Sequence, residues 1–395
     1  MPVFRITGGV YSVGVPDWDR RLFDELIPLP DGTSYNSYLV RGTEKTALID
    51  TVYAPKLGAL LSNLEKAGVG RLDYIVSNHS EGDHSGCIPK MLELYPEARV
   101  VTNEKCKELL MDSLMIHEDR FTVIGDGDAL ELGGKTLEFM ITPWVHWPDT
   151  MLTYLRQDRI LFTCDLFGSH LSPLNPLEPM PEMVERAAKR YYAEIMMPFR
   201  AVIRKHMERI RRLDVWMVAP SHGPVHAPPD RIFQLYEDWI SDRVKNEVVI
   251  PYVSMYGDTL AMVERLAEAL VSRGVHVKLF NLTRTDIGEL AMALVDAATV
   301  VIGSPTVLAG PHPSALYAAA LMNALRPKTR FVTVIGSYGW GGKTVEVIKE
   351  MTANIRAEFI DPVIVKGYPR NDDRSIEVLA ERIAKKHEEI GILKA

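Results

Sequence analysis

The sequence predicts two domains of different build. The first is an α+β structure, an antiparallel-rich sheet arrangement with helices on its outer faces. The second is an α/β doubly wound parallel sheet of strand order 2-1-3-4-5. Three observations predict this. At roughly 150 residues per domain, 395 residues suggest two or three domains. Residues 1 to about 245 carry many short strand-like runs separated by turn signals, with helical patterns between them. From Glu247 onward, strands alternate with helical patterns of about 10–15 residues, the rhythm of a parallel sheet.

The strand-like runs of the first part are Tyr38–Val40, Thr46–Asp50, Tyr74–Ser77, Arg99–Thr102, Phe121–Ile124, Thr136–Ile141, Met151–Leu155, Ile160–Cys164 and Val215–Ala219. Asp31-Gly32, Gly125-Asp126-Gly127 and Gly133-Gly134 mark turns between them. Pro181–Arg211 reads as helix, and a polar helix over Asp230–Lys245 leads to the second part. There the expected order is strand Val248–Ser254, helix Thr259–Ser272 and strand His276–Leu279. Strand Ala298–Gly303, a helix from about Ser314 and strand Phe331–Gly336 follow. A helix from about Lys343, strand Phe359–Val365 and a helix from about Asp373 finish the pattern. Five strands in this arrangement suit the flavodoxin-like order. The expected domains are 1–246 and 247–395.

Composition narrows the function. With 45 basic and 52 acidic residues the net charge is −7, so no nucleic-acid-binding surface is expected. No apolar run approaches the roughly 20 residues of a membrane helix, and the start, MPVFRITGGVYSVG, lacks the basic-then-apolar plan of a signal peptide. Cys87, Cys106 and Cys164 form no CxxC pair and no disulfide framework, so a reduced, cytoplasmic setting is expected.

The strongest chemical signal is His79-Ser80-Glu81-Gly82-Asp83-His84, directly after the apolar run Tyr74–Val76. Burying four such side chains without partners would cost several kcal/mol; at a strand end they can converge on a metal. Three later residues also sit beside strand ends. His146 lies in Pro143-Trp144-Val145-His146-Trp147-Pro148-Asp149, Asp165 follows Ile160–Cys164, and His222 lies in Pro220-Ser221-His222-Gly223-Pro224. His226, four residues on, competes with His222.

This spacing resembles the metallo-β-lactamase superfamily, whose hydrolases hold two metals with HxHxDH followed by His, Asp and His. Glu81 stands in place of the second histidine. Imidazole-rich sites suit zinc, whereas hard carboxylates stabilise higher oxidation states such as Fe(III). The HxExDH form, the HWPD segment and the flavodoxin-like second part together resemble the flavodiiron proteins, or A-type flavoproteins. So do Gly14-Val15-Pro16-Asp17-Trp18-Asp19, Thr33-Ser34-Tyr35-Asn36, Tyr191-Tyr192-Ala193 and Met197-Pro198-Phe199. The resemblance covers almost the whole chain and implies an N-terminal αββα metallo-β-lactamase-like sandwich. It implies His79, Glu81 and His146 on one iron, Asp83, His84 and His222 on the other, and Asp165 bridging. His84 binds in some members and is turned away in others. Family members tend to carry Asn-Asp where this chain has Cys164-Asp165. His170 resembles a family residue near the metals, and Tyr192 is expected beside bound substrate.

The first strand of the second part ends in Ser254-Met255-Tyr256-Gly257-Asp258-Thr259. Backbone amides at the following helix N-terminus can cradle a phosphate. Asp258 departs from the usual hydroxyl or amide there. Two further loops occupy the carboxyl end of the sheet: Ser304-Pro305-Thr306-Val307-Leu308 and Ser337-Tyr338-Gly339-Trp340-Gly341-Gly342. Leu308 stands where the family usually has Asn. Tyr338 and Trp340 are placed to flank an isoalloxazine ring. A single phosphate cradle and the lack of GxGxxG point to FMN rather than FAD.

The resemblance implies a terminal oxidoreductase that passes electrons through FMN to a non-haem di-iron site. That site reduces O2 to water, NO to N2O, or both. The external donor would be a rubredoxin or reduced coenzyme F420, and the assembly a head-to-tail homodimer or a dimer of dimers. The alternative is a di-zinc hydrolase with an accessory flavodoxin domain, against which Glu81 argues.

Overall fold

The computed structural model describes residues 3–177, 179–370 and 374–394. Two compact units emerge: residues 1–192 with 199–240, and residues 193–198 with 241–395.

The first unit is built on two sheets. One runs in the order Phe4–Thr7, Val10–Ser12, Tyr38–Arg41, Thr46–Ile49, Tyr74–Val76, Arg99–Thr102, Phe121–Val123. Its pairs are antiparallel as far as Thr46–Ile49 and parallel beyond. Parallel neighbours need crossovers, and the helices Leu57–Lys66, Ile88–Leu94 and Glu104–Leu114 supply them. The second sheet runs Ala129–Glu131, Thr136–Ile141, Met151–Leu155, Ile160–Cys164, Met217–Pro220, antiparallel except for its last pair.

Side-chain alternation along the strands divides the core into layers. Leu39, Leu48, Ile75 and Val100 face the helical residues Leu60, Leu64, Ile88, Met91 and Leu110. Their neighbours Val40, Ile49, Val76 and Val101 face Leu137, Phe139, Met151 and Phe162 of the second sheet. Sheet packs on sheet, with helices outside.

Two of the expected helical stretches differ in the structure. The helical stretch Pro181–Arg211 is two helices, Pro181–Tyr191 and Arg200–Ile210, with tighter and looser turns between them. The helix expected to reach Lys245 stops at Ile240, and Lys245 already opens the next strand.

The second unit has a fully parallel sheet: His276–Asn281, Lys245–Tyr252, Ala297–Gly303, Phe331–Tyr338, then Glu358–Phe359 and Val363–Lys366. This is the order 2-1-3-4-5, the fifth position being one expected strand interrupted at residues 360–362. Helices Asp258–Val271 and Ser375–Glu389 share a core with it through Met262, Leu266, Ile376, Leu379 and Ile383. The expected helix start at Asp373 lies outside the described residues. No described helix is long and apolar enough to cross a membrane.

Candidate metal centre and flavin cavity

The candidate metal ligands of the first unit all leave carboxyl ends of strands. His79 and Glu81 follow Tyr74–Val76, and Asp83 and His84 sit in the short helix Gly82–Ser85. His146 lies in the loop after Thr136–Ile141, Asp165 follows Ile160–Cys164, and His222 follows Met217–Pro220.

They form two groups whose donor atoms converge: His79, Glu81, His146 and Asp165; and Asp83, His84 and His222; a further convergence joins His84 and Asp165 to the Cys164 thiol. In the first, Glu81 Oε2 lies 3.1 Å from His79 Nε2 and 3.2 Å from His146 Nε2. In the second, Asp83 lies 3.3 Å from His84 Nε2 and 3.1 Å from His222 Nε2. Asp165 faces both. Its Oδ2 is 3.7 Å from His79 Nε2 and 3.5 Å from His146 Nε2. Its Oδ1 is 3.1 Å from His84 Nε2 and 3.4 Å from His222 Nε2.

Donor chemistry fits two metal ions. Both Asp83 oxygens, His84 Nε2 and His222 Nε2 are buried without a hydrogen-bond partner. Such atoms are costly unless something else binds them. Burial would lower the histidine pKa values, yet the carboxylates around them raise His79, His84 and His146 to about 10. The cluster therefore attracts positive charge strongly, and metal ions would take the place of those protons.

Neighbouring groups aim the ligands, as metal sites require. Asp149 Oδ2 accepts from the Ser80 amide (2.8 Å) and lies 3.3 Å from His79 Nδ1. Burial would raise Asp149, but the His79 hydrogen bond outweighs it and holds the carboxyl at about 2. His222 Nδ1–H donates to the Ser34 carbonyl (2.7 Å), leaving Nε2 for the centre. Asp50, which the sequence reading did not single out, accepts from Asn78 N and Nδ2 at 2.8 and 2.9 Å. Its Oδ2 also accepts from Ser221 Oγ at 3.3 Å, fastening the two ligand loops together.

The other expected residues fall unequally. His170 is buried beside the cluster, its ring centroid 5.3 Å from that of His222. Its Nδ1 is 3.0 Å from Thr33 Oγ1, and its Nε2 has no partner. Burial holds it neutral, well below the usual histidine range. Tyr192 is not brought to the cluster. Its hydroxyl donates to the Trp239 carbonyl (3.1 Å), and its ring packs on Tyr236 and Trp239. The preceding residue, Tyr191, reaches the centre instead: its hydroxyl donates to Asp165 Oδ1 at 2.8 Å. One helical residue turns the side chain by about 100°, so the Tyr-Tyr pair alone could not say which faces inward. His226 Nε2–H donates to the Phe167 carbonyl (3.1 Å), outside both donor groups. The Cys164 thiol is buried 3.8 Å from Asp165 Oδ2.

In the second unit, a cavity of about 210 Å³ opens at the carboxyl end of the parallel sheet. Its walls combine all three expected loops: Ser254, Met255, Tyr256, Asp258 and Thr259 from the first, Pro305 and Thr306 from the second, and Ser337, Tyr338, Gly339 and Trp340 from the third. Gly367, not foreseen, completes it. Gly257 caps the helix Asp258–Val271 at φ +100°, a conformation open to glycine. Trp340 and Tyr256 are 86% and 89% exposed, free to lie against a planar ligand.

Six expected residues are outside the cavity wall, Gly257 at the helix cap among them. Ser304 is buried, its hydroxyl donating to the Pro305 carbonyl and accepting from the His312 amide, both at 2.9 Å. Val307 pairs with Gly310 in a small hairpin whose turn is Leu308-Ala309. Leu308 is 94% exposed at its tip. Gly341 has φ +99°, and Gly342 lets the loop approach the hairpin, since a Cβ there would lie 2.5 Å from Thr306 Cγ2.

Each unit has a match among known protein families. Residues 33–223 match the family described as ODP family beta lactamase, and residues 250–380 match flavodoxin. The chain is 36% identical to a coenzyme F420H(2) oxidase of Methanothermobacter marburgensis, over 88% of this chain and 89% of the relative. It is 34% identical to a nitric oxide reductase of Moorella thermoacetica, over 93% and 94%. The solved structure of rubredoxin oxygen:oxidoreductase from Desulfovibrio gigas superposes with a TM-score of 0.94 at 29% identity, covering 98% of this chain and 99% of that one.

Proposed function

The chain belongs to the flavodiiron family, and from that membership we propose that it is a terminal reductase for O2, NO or both. The observation that carries this reading is the shared carboxylate, Asp165, whose two oxygens face two donor groups of mixed histidine and carboxylate character. When bound, FMN would exchange electrons singly and in pairs, and two iron ions would bind and reduce the gas.

We assign one iron to His79, Glu81 and His146 and the other to Asp83, His84 and His222. The chain's own residues orient these ligands. Asp149 fixes the His79 ring, the Ser34 carbonyl fixes His222, and the Tyr191 hydroxyl restrains Asp165. Burial around His79, Asp165 and His222 excludes bulk water. His170, held neutral by burial and with Nε2 unpartnered, is placed to offer a hydrogen bond at that nitrogen beside the centre. Glu81 supports iron over zinc, because a carboxylate replaces an imidazole on one metal.

The relatives' names supply two classes of external donor, rubredoxin and reduced coenzyme F420; either would deliver electrons to FMN in the second unit. The family resemblance supports a head-to-tail homodimer or dimer of dimers as the working assembly, which sedimentation velocity tests. For the reaction itself, the protein is reduced anaerobically and mixed with O2 or NO. Rapid reoxidation of the flavin by one gas, lost in Asp165→Ala, supports the proposal. Reoxidation at the rate of free FMN contradicts it.

A further inference from the structure

Among the described residues that line the flavin cavity, none is Lys, Arg or His. Among those same residues, Asp258 is the one Asp or Glu. Asp258 is the first residue of the 14-residue helix Asp258–Val271, where the amides and the helix dipole would otherwise favour an anion. Part of that attraction is already used. The Gly257 and Leu260 amides both donate to Ser254 Oγ at 3.2 Å, and the Thr259 and Ser337 hydroxyls pair with each other at 3.0 Å.

A flavin 5′-phosphate carries close to two negative charges at neutral pH. Beside a carboxylate, like charges raise its binding free energy. The aromatic walls, Tyr338 and Trp340, attract the ring system whether or not a phosphate is attached.

We propose that Asp258 is the specificity-determining residue of the flavin site. It cancels most of the advantage of the phosphate, so the cavity holds the flavin chiefly by its ring and separates FMN poorly from unphosphorylated riboflavin. This rests on the flavin-binding reading of the second unit. The step is binding alone, with no bond made or broken.

The test is calorimetric titration of the full chain, stripped of flavin, with FMN and with riboflavin, for the parent and for Asp258→Asn. The ratio of the two dissociation constants cancels any general loosening of the cavity. Expected is a parent ratio within about tenfold, with FMN binding about tenfold tighter in D258N and riboflavin changed by less than about twofold. A parent that prefers FMN by more than about a hundredfold, with the same ratio in D258N, overturns the inference. Binding of neither flavin overturns the flavin reading itself.

Discussion

The Tyr191 hydroxyl donates a 2.8 Å hydrogen bond to Asp165 Oδ1, the oxygen that faces His84 and His222 rather than the one that faces His79 and His146. The two halves of the centre are therefore not equivalent, although one carboxylate serves both. A donor on Oδ1 draws charge from that oxygen and fixes the plane of the carboxylate, and hydrogen bonds to charged groups contribute about 1.5–3 kcal/mol.

Tyr191→Phe removes the donor and keeps the buried ring. We expect a folded protein in which the metal on the Asp83, His84 and His222 side exchanges faster than the other, with affinity altered about tenfold. Chelator-competition kinetics read this as a change in one of two phases. Identical phases in parent and variant would contradict it.

Asp165→Ala and His222→Ala separate the shared ligand from a private one. The first is expected to leave less than one tightly bound metal per chain, because both donor groups lose an oxygen. The second is expected to leave about one, held by His79, Glu81, His146 and Asp165. Metal analysis after gel filtration checks both.

Leu308 and Ala309 occupy left-handed conformations at φ +48° and +63° in the turn between Thr306–Val307 and Gly310–Pro311. Two-residue hairpin turns of this kind favour Asn and Gly. Leu308 buries little, being 94% exposed, so Leu308→Asn gives up almost no packing. It should stabilise the second unit by about 0.5–1 kcal/mol, read as a higher urea midpoint with unchanged slope.

His387 supplies a pH dependence away from both sites. Burial holds its pKa down at about 4, against an ordinary value of 6.5. Its Nδ1–H donates to Asn246 Oδ1, and its Nε2 accepts from Thr299 Oγ1, both at 2.8 Å. The unfolded chain takes up a proton near pH 6.5 that the folded chain refuses until about pH 4. Stability is thus fully present above 6.5 and is lost as pH falls through this window, by about 3 kcal/mol. Urea unfolding of the second unit at pH 7, 5.5 and 4.5 should show the loss, and His387→Gln should flatten it.

Much of this was legible in the sequence because the decisive features are local. HxExDH after an apolar strand, and three loops at one end of an alternating β/α pattern, each fit within a few residues. What escaped depends on long-range geometry. Asp50 and Asp149 stand 28 and 70 residues from the Asn78 and His79 they hold, and nothing in their own neighbourhoods names those partners. Tyr191 and Tyr192 differ only in helical phase, which is fixed where Pro181–Tyr191 ends and the turn pattern changes. The first sheet is parallel in half its pairs because helices separate those strands; short strand runs by themselves do not disclose direction.

The most direct measurement is the metal and flavin content of protein purified without oxygen: iron, zinc and FMN per chain, before and after Glu81→His. About two irons and one FMN are expected in the parent. In the variant, whose motif becomes that of the hydrolases, the content is expected to shift from iron toward zinc. Zinc in the parent at the iron positions, with no flavin, would contradict the terminal-reductase reading and return the chain to the di-metal hydrolases.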